Sequence, residues 1–546
     1  MTMFNVMAQL PNCKFDSKSV KRLTAIGMLL AAASAQAQQT MPEATGATAT
    51  FPIRGFELNG DIPLSSDDTS RILAPYIRTN GNLSTLQQAG AALEAALKEK
   101  GYALHRVTLP PQEVGNKVSF NVIKFVIGKI TVESQGKVSE KNIRHSLPEL
   151  QEGQAPNFRT LAVQTAIANE NPSKQVQASL KESDEPEKID VKLLVKASDP
   201  LIFSTSLSNT GSDATGNDRL ALVLGHSNLF DLDHQFSMAY TSSLERAQNV
   251  KQLGLNYRIP LYAQGGVVGL SYTSSDVVGS FGSFNSSGAG ETFGVNYNLY
   301  LPPLGGRRTY LSVALDEKLF NISKINGVEV PGQMQRGSRP LTFGYTAKVE
   351  SDKAVWGYNA DIAANLSGSN GNTLAAYKTE DARMQTVDWN VVHMGANYLA
   401  SMDSGWLWSV RGQLQYSGSA LISGEQFGLG GAGSVRGTGE RILSGDSGAS
   451  MTLEMTTPEV FRGLRLLGFV DGGWLSSNNT AATTAGKGAS DQLSSAGLGL
   501  RYSLGWLNLS ADWGHIVSGA NVPINGGALI PKAGDEKLHV NLTARF

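Results

Sequence analysis

The most constraining feature of this sequence is a series of sixteen short segments after residue 200 in which apolar and polar side chains alternate. Most of them supply the roughly 9–11 residues that a tilted membrane-spanning strand needs. Glycine, asparagine, serine and aspartate separate them, which is typical of a transmembrane β-barrel with lipid outside and a polar interior. The segments are 201–208, 218–226, 233–243, 251–259, 265–274, 291–301, 307–319, 339–351, 354–366, 385–401, 405–416, 449–457, 464–474, 492–504, 505–516 and 535–546.

The connections between these segments alternate in length. Short connections are found at 228–232, 260–264, 302–306, 352–353, 402–404 and 458–463, and long ones at 277–290, 321–338, 367–384, 417–448, 475–491 and 517–534. Barrels of the bacterial outer membrane have short periplasmic turns and long external loops. The sequence therefore predicts about 16 antiparallel strands in a barrel over 200–546, with both ends of the barrel on the periplasmic side.

The N-terminus predicts an export signal over residues 1–37. Four basic residues precede an apolar run from Leu23 to Ala33, and Ala35-Gln36-Ala37 supplies small residues for cleavage. A short linker, 38–50, would follow. The single cysteine, Cys13, lies in the part removed, which excludes disulfides and thiolate chemistry from the predicted mature chain. A formal net charge of -1 gives no electrostatic indication of a nucleic-acid partner.

Two small α/β modules are predicted between the linker and the barrel, at 51–128 and 129–199. Each has the order strand, helix, helix, strand, strand. The helices of the first module are predicted at 65–77 and 84–100, and those of the second at 139–146 and 158–169. Such βααββ units resemble POTRA domains, periplasmic modules that bind extended polypeptide at a sheet edge or a helix-strand groove. Two generic α/β domains without a peptide-binding role are the alternative.

A glycine-rich stretch from Phe427 to Asp446 stands out within the long connection 417–448. Its seven glycines disfavour a helix, because each carries a large backbone entropy, and they indicate a loop that folds back along a tight path. Arg436 lies in this loop between Val435 and Gly437. An acidic residue, Asp471, follows about one hairpin later. Asp471 shares one face of its predicted strand with Phe469 and Gly473, which leaves Val470 to face lipid.

The chain resembles the outer-membrane transporters of two-partner secretion, the TpsB proteins similar to FhaC, ShlB and HecB, within the BamA-like superfamily. The resemblance lies in His226-Ser227-Asn228-Leu229, Tyr257-Arg258-Ile259-Pro260-Leu261, Gly430-Gly431, Ser434-Val435-Arg436-Gly437, Gly445-Asp446-Ser447-Gly448, Glu454, Pro458 and Phe469-Val470-Asp471-Gly472-Gly473. It implies two POTRA domains, a sixteen-stranded barrel, and a loop between strands eleven and twelve, 417–448, that folds inward through the pore.

The same resemblance implies which residues act in that loop. Arg436 at the loop tip would pair with Asp471 on the inner wall of strand thirteen. Val435, Gly437, Gly430, Gly431 and Asp446 would complete the loop motif, and Phe469 and Gly473 the wall motif. A planar guanidinium fixes the orientation of a carboxylate partner in a way that lysine does not. The chain departs from the family at Thr438, where an aromatic residue is usual, and in the short stretch between Gln38 and Phe51, which disfavours a helix that plugs the pore.

Other chemistry finds little support in the sequence. The stretch Gly428 to Gly433 matches the dinucleotide pattern GxGxxG, but no parallel strand precedes it and no helix follows. The seven histidines lack zinc-ligand spacing, and no nucleophile elbow is present. We therefore expect no enzyme activity, catalytic residue, metal or cofactor. Glu425, Glu440 and Arg441 could pair with charges in the lumen, but loop charges that face water are the default interpretation.

The sequence thus predicts an outer-membrane translocase that recognises an unfolded exoprotein through its POTRA domains and secretes it through the barrel. The expected partners are a secreted TpsA-like exoprotein and outer-membrane lipid, without nucleic acid, and the barrel is expected to be monomeric. Export and activation of a haemolysin or an adhesin is compatible with this prediction. An assembly factor that inserts other barrels and a passive porin remain as alternatives.

Overall fold

The computed structural model describes residues 50–546 apart from gaps at 114, 116, 213–214, 278, 282–283, 287–288, 323, 326–327, 369, 479–489 and 522–529. The predicted signal peptide, 1–37, and all but the last residue of the predicted linker, 38–50, lie outside the described residues. The chain divides into two compact units, the first ending at Lys124 and the second running from Phe125 to Phe546. None of the described helices is long and apolar enough to cross a membrane.

The first unit is a small α/β module. Its elements are β1 (Phe51–Ile53), β2 (Phe56–Gly60), α1 (Ser66–Leu73) with the 3-10 turn Ala74–Tyr76, β3 (Arg78–Gly81), α2 (Leu83–Glu99), β4 (His105–Thr108) and β5 (Val118–Lys124). The sheet order is β2-β5-β4, and β1 pairs separately with β3. Asn82 begins α2 through a capping box with Thr85. One face of α2, including Leu93 and Leu97, packs on Val122 of β5.

The second module begins earlier than predicted. Its elements are β6 (Val126–Gln135), α3 (Glu140–Ser146), α4 (Phe158–Ala168), β7 (Lys174–Glu182) and β8 (Lys188–Ala197), with the sheet order β6-β8-β7. The predicted boundary at residue 128 moves to Phe125, because Val126 already pairs with Lys188 in the second sheet. The strands on either side of Phe125, β5 and β6, accordingly belong to different sheets.

Sixteen antiparallel strands close into a barrel, which confirms the predicted fold class. The wall strands are β9 (Leu201–Ser208), β10 (Arg219–Leu229), β11 (His234–Ser242), β12 (Gln252–Leu261), β13 (Gly266–Ser275), β16 (Gly290–Leu304), β17 (Arg307–Phe320), the interrupted strand β20 (Arg336–Ser338) and β21 (Pro340–Glu350), β22 (Ala354–Asn365), β23 (Asn390–Ser401), β24 (Leu407–Ser417), β27 (Ser447–Thr456), β28 (Leu464–Ser476), β29 (Ser490–Leu504), β30 (Leu507–Ser518) and β31 (Glu536–Arg545). Pairing of β31 with β9 completes the closure.

In the part of the chain that the structure describes, three short hairpins and one α-helix lie in the loops between wall strands. The hairpins are β14 (Gly279–Phe281) with β15 (Phe284–Ser286), β18 (Lys324–Ile325) with β19 (Val328–Glu329), and β25 (Phe427–Leu429) with β26 (Leu443–Gly445). The helix, α5, spans Leu374–Glu380. The tenth strand starts at Asn390 instead of the predicted residue 385, because Trp389 just before it is buried in an apolar cluster of loop and wall residues.

Successive side chains along the wall alternate between lipid and lumen. On β28, Val470 is 57% exposed on the outer surface, whereas the neighbouring Asp471 is fully buried. On β29 and β30 the outward residues are Leu498 and Trp513, and Ser495 lies on the inner side of the wall. The period of two thus places an apolar band outside and polar groups inside, as a membrane barrel requires.

The second module packs against the short-turn end of the barrel. Asn171 donates to the Ser227 carbonyl at 2.8 Å, and Lys174 forms an ion pair with Asp233 just before β11. The turn that this module contacts has an unusual backbone, since Phe230, Asp231 and Asp233 all have φ near 60°. Asn142 of α3 donates to the carbonyl of Asp231 at 3.0 Å. The long loops therefore lie at the opposite end of the barrel from this module.

Candidate functional site

The loop between β24 and β27 enters the barrel and packs on its inner wall. We keep the name inward loop for these residues, 418–446, which were predicted as 417–448. Leu429 and Val435 of the loop are fully buried against Leu475, Leu493 and Ile516, which belong to three different wall strands. Leu429 lies where a Cβ at Gly473 would be only 2.4 Å from its side chain, so the wall motif glycine makes room for the loop.

Arg436 is the point where the inward loop meets the wall. Its Nε and Nη2 donate to the two oxygens of Asp471, each at 2.8 Å, and its backbone N–H donates to Oδ2 at 3.1 Å. The Arg436 side chain is 3% exposed and that of Asp471 is fully buried. The structure thus brings together the two residues paired by the sequence analysis. Their contact has the bidentate geometry that fixes a guanidinium most firmly.

Two further carboxylates surround the same guanidinium. Glu454 on β27 accepts from Nη1 at 2.6 Å, and Asp512 on β30 lies 3.6 Å from that atom. Asp512 also accepts from Arg501 of β29 at 2.9 Å. The cluster therefore contains three acidic groups and Arg501 from the inner wall together with Arg436 from the loop, with one more negative charge than positive.

Phe469 forms the floor of this cluster. The Arg436 guanidinium carbon lies 3.3 Å from the centre of the Phe469 ring, which is a cation–π contact. Phe469 reaches this place because its neighbour across the ladder, Gly497, has no side chain. A Cβ at Gly497 would lie 2.4 Å from the ring.

The tip turn packs on β30, which is two strands along the wall from β28. Gly437 has φ +98°, and its N–H donates to Nε2 of His539 at 3.1 Å. A Cβ at Gly514 of β30 would lie 2.5 Å from the Gly437 nitrogen. The loop backbone therefore contacts the wall backbone directly, and both positions require glycine for this approach.

Thr438 closes the tip turn through hydrogen bonds. Its hydroxyl accepts from the N–H of Gly431 at 3.3 Å and donates to the carbonyl of Val435 at 3.2 Å. Gly430 and Gly431 both have positive φ values at the start of this turn. A polar side chain at residue 438 thus links the two sides of the tip.

Asp446 holds the other end of the inward loop. Its Oδ1 accepts from the N–H of Leu421 at 2.9 Å and from Gln426 at 3.1 Å, and its Oδ2 accepts from the N–H of Asn478 at 2.7 Å. Asp446 is 2% exposed. This loop-motif residue, ten residues after Arg436, therefore joins the end of the inward loop to its start.

The interpretation of Glu425 as a water-facing charge is wrong. Glu425 accepts from Lys318 at 3.0 Å and from the hydroxyl of Ser338 at 2.6 Å, and both partners belong to the barrel wall. Glu440 accepts from the N–H of Ala432 at 2.8 Å, and Arg441 donates to the carbonyl of Ser423 at 2.7 Å, so these two residues stabilise the loop itself.

The residues missed by the sequence analysis are Asp512, Arg501 and His539, and Glu454 was noted without a role. Each lies on a wall strand that the pattern identifies, and alternation alone places them on the inner face. Their common partner becomes visible only when the strands are paired. Among the described residues, no group of three or more His, Cys, Asp or Glu side chains is arranged to hold a metal ion.

A sixteen-stranded outer-membrane barrel with N-terminal α/β modules and an arginine-tipped loop in its lumen defines a class of outer-membrane transporters. A family model described as "Haemolysin secretion/activation protein ShlB/FhaC/HecB" matches residues 187–502, and a second, described as "POTRA domain, ShlB-type", matches residues 51–124. Because the first match covers more than half of the chain, the protein belongs to the ShlB/FhaC/HecB family. It is a protein of the outer membrane with its POTRA region in the periplasm.

Relatives and solved structures agree with this assignment. The chain is 24% identical over 477 residues to the outer membrane transporter CdiB of Dickeya dadantii (strain 3937), covering 84% of this chain and 82% of that protein. It is 22% identical over 451 residues to CdiB of Escherichia coli, covering 80% and 74%. Solved structures of CdiB from Escherichia coli (TM-score 0.71, 19% identity, 93% of each chain) and from Acinetobacter baumannii (TM-score 0.70, 17% identity, 97% and 98%) share the fold.

Proposed function

We propose that this chain is the outer-membrane transporter of a two-partner secretion system and passes one unfolded exoprotein from the periplasm to the medium. The observation that carries the proposal is the inward loop, whose buried tip at Arg436 is held by carboxylates on the inner wall. A loop that occupies the lumen has to shift before a polypeptide passes. Arg436 and Asp471 therefore stabilise one position of the loop in the transport cycle.

The POTRA region is proposed to bind the exoprotein before transport. In the first module β2 and β4 lie at the edges of the sheet, and in the second β6 and β7 do. A sheet edge offers backbone groups to which an extended chain adds as a further strand, whatever its side chains. The region thus suits an unfolded partner better than a folded one.

We propose that transport through this barrel is driven without a nucleotide. An exoprotein that folds on emerging buries apolar surface outside, and this burial favours outward movement. The outer face of the barrel contacts lipid through side chains such as Val470 and Leu498, which are more than half exposed. Because the strands close on themselves, one chain leaves no open sheet edge in the membrane, which supports a monomer.

Two alternatives are weaker on specific grounds. A passive porin requires neither POTRA modules nor a loop tip fixed by an arginine in the lumen. An assembly factor for other barrels shares the superfamily, but such proteins usually carry more POTRA modules than the two found here. Activation of a haemolysin during export is consistent with the family description and would add to secretion.

The proposal is tested by deleting the gene in its own host and comparing the proteins of the medium and of the outer membrane. We expect one large polypeptide to disappear from the medium and to return when the gene is restored, with the other outer-membrane barrels unchanged. Depletion of those barrels would identify an assembly factor instead. An unchanged medium together with slower uptake of small solutes would identify a porin.

The role of the first module is tested separately. A chain lacking residues 51–124 removes one compact unit and leaves the second intact. We expect this chain to insert in the outer membrane but to lose the exoprotein in a periplasmic pull-down. Undiminished capture would show that the first module is not needed for binding and would leave the second as the binding site.

A further inference from the structure

A second loop contacts the inward loop where it leaves the wall. We call residues 419–426 the root segment and residues 370–389, in the connection between β22 and β23, the clamping loop. The clamping loop contains α5, which Thr373 caps by accepting the N–H of Ala376 at 3.2 Å. A helix of seven residues is marginal by itself in water, so α5 depends on its packing partners.

Apolar packing joins the two segments. Leu421 and Ile422 of the root segment are fully buried in one cluster with Tyr377 of α5 and Trp389. The Tyr377 hydroxyl donates to the carbonyl of Gly337 on the barrel wall at 2.9 Å. The clamping loop is thereby fixed to the wall on one side and to the root segment on the other.

Glu380 at the end of α5 contacts the backbone of the root segment. Its Oε1 accepts from the N–H of Ser423 at 2.7 Å, and its Oε2 lies 2.8 Å from Nε of Arg336. Arg336 is 3% exposed and also donates to the carbonyl of Asn321 at 3.0 Å. One carboxylate thus links the root segment to a buried arginine of strand β20.

Glu425 provides a second link from the root segment itself. Its partners, Lys318 and Ser338, lie on the seventh and eighth strands of the barrel. The loop tip, in contrast, pairs with the twelfth, thirteenth and fifteenth strands. The inward loop is therefore attached to two separate parts of the wall, and breaking the contacts of Arg436 alone leaves the root segment in place.

We propose that Glu380 and Glu425 are positioning residues for transport, and that the clamping loop acts as an external latch on the root segment of the inward loop. The inward loop withdraws only when the latch releases. This inference rests on the proposed function for its role in secretion. The latch itself is a property of the barrel and is measurable without an exoprotein.

Channel recordings in planar lipid bilayers test the latch directly. Glu380→Ala removes the contacts of this carboxylate with Ser423 and Arg336, so the time spent in the high-conductance state should rise about tenfold or more. Lys378→Ala, at an exposed residue of the same helix, should behave as the wild type. Glu425→Gln keeps the size of the side chain and should also raise the open fraction. Wild-type recordings from both glutamate variants, with heat-modifiable migration showing a folded barrel, would overturn the proposal.

A reversible cross-link tests the need for release. The sequence has no cysteine after Cys13. A Glu380→Cys, Ser423→Cys pair can therefore be joined by a short, thiol-cleavable bis-thiosulfonate. We expect the cross-link to stop secretion and a reductant to restore it, with either single variant unaffected by the reagent. Secretion at the wild-type rate by the cross-linked protein would show that the latch need not open. If Glu380→Ala raises the channel conductance but the wild-type protein secretes no exoprotein, the proposed function is contradicted. The proposal that the clamping loop acts as a latch would still stand.

Discussion

Two buried ion pairs join different parts of this protein. One holds the second module to the barrel, and the other holds the inward loop to the barrel wall. At the joint between the second module and the barrel, Lys174 and Asp233 are each 1% exposed, and neutral groups surround them: Asn142 accepts from Lys174 at 2.8 Å, and Tyr262 donates to Asp233 at 2.7 Å. At the loop tip, Arg436 faces three carboxylates. Lys174 thus forms an ion pair with one carboxylate, whereas Arg436 lies within 4 Å of three.

The difference indicates what each pair does. Burial lowers the pKa of Lys174, and the attraction of Asp233, with a smaller one from Asp231, opposes that effect. Hydrogen bonds with the amides of Asn142 and Asn171 and with the Tyr262 hydroxyl hold the two charged groups in place. The acidic wall behind Arg436 can hold a guanidinium in more than one way. We interpret the joint as fixed and the loop tip as an attachment that the transport cycle breaks.

Removal of the loop-tip charge should have the largest effect. Arg436→Ala leaves Asp471 buried next to Glu454, and an uncompensated buried charge costs about 3–5 kcal/mol. We expect the barrel to insert normally and secretion of the exoprotein to fall close to background, measured by immunoblot of the medium. Arg308→Ala, at a partly exposed arginine that pairs with Glu350, is the control and should secrete normally. Normal secretion by Arg436→Ala would show that the contacts of the loop tip are not needed for transport.

Breaking the joint should have a smaller effect. In Lys174→Met the Asp233 carboxylate keeps its contacts with Tyr262 and Asn171, so the loss is about 3 kcal/mol, near the upper end for a buried charge that loses one partner. Limited proteolysis of the purified protein should then cleave the second module faster, while the barrel stays resistant. Lys192→Met, at a half-exposed lysine of the same module, serves as the control. Equal cleavage of both variants would show that the joint is not a fixed contact.

The contact of glycine with glycine gives a third, milder test. Gly514→Ala places a methyl group against the backbone of Arg436 and Gly437, which should cost about 2 kcal/mol and displace the tip. Reduced secretion and a larger channel conductance are expected. Gly472→Ala is the matched control, because a Cβ there meets no atom within 4 Å. Identical behaviour of the two alanine variants would mean that secretion does not depend on the close contact of the tip with β30.

The smallest effect is expected at Thr438. Thr438→Val keeps the shape of the side chain and removes the hydroxyl that connects Gly431 with Val435, a loss of about 1 kcal/mol. The midpoint of thermal unfolding in detergent should fall by a few degrees or less, and secretion should persist. Complete loss of secretion would give residue 438 a direct role in transport.

The wall of the barrel was predictable because it follows from local chemistry. Alternation over nine or more residues and the lengths of connections identify each strand without knowledge of its neighbours. The ends moved by a few residues where loops pack, as at Trp389. The inward path of the loop came from the family resemblance, since seven glycines alone indicate flexibility without direction.

The charge network around Arg436 was not predictable, because it depends on how strands are paired. Asp512 lies across the ladder from Gly499, and its contact with Arg501 is a diagonal one that only the register defines. Glu425 meets Lys318 across 107 residues of sequence. A single sequence predicts on which face of a strand such a residue lies. It does not predict which residues of other strands or loops that side chain contacts.

The turn between β10 and β11 has a consequence for truncation experiments. Three residues without the freedom of glycine, Phe230, Asp231 and Asp233, adopt left-handed backbone there, and each such residue costs roughly 1–2 kcal/mol. Hydrogen bonds and the ion pair from the second module offset this cost. A barrel expressed without that module would carry an unsupported rim, so its failure to secrete would report on folding of the rim as much as on lost recognition. Only removal of the first module separates the two.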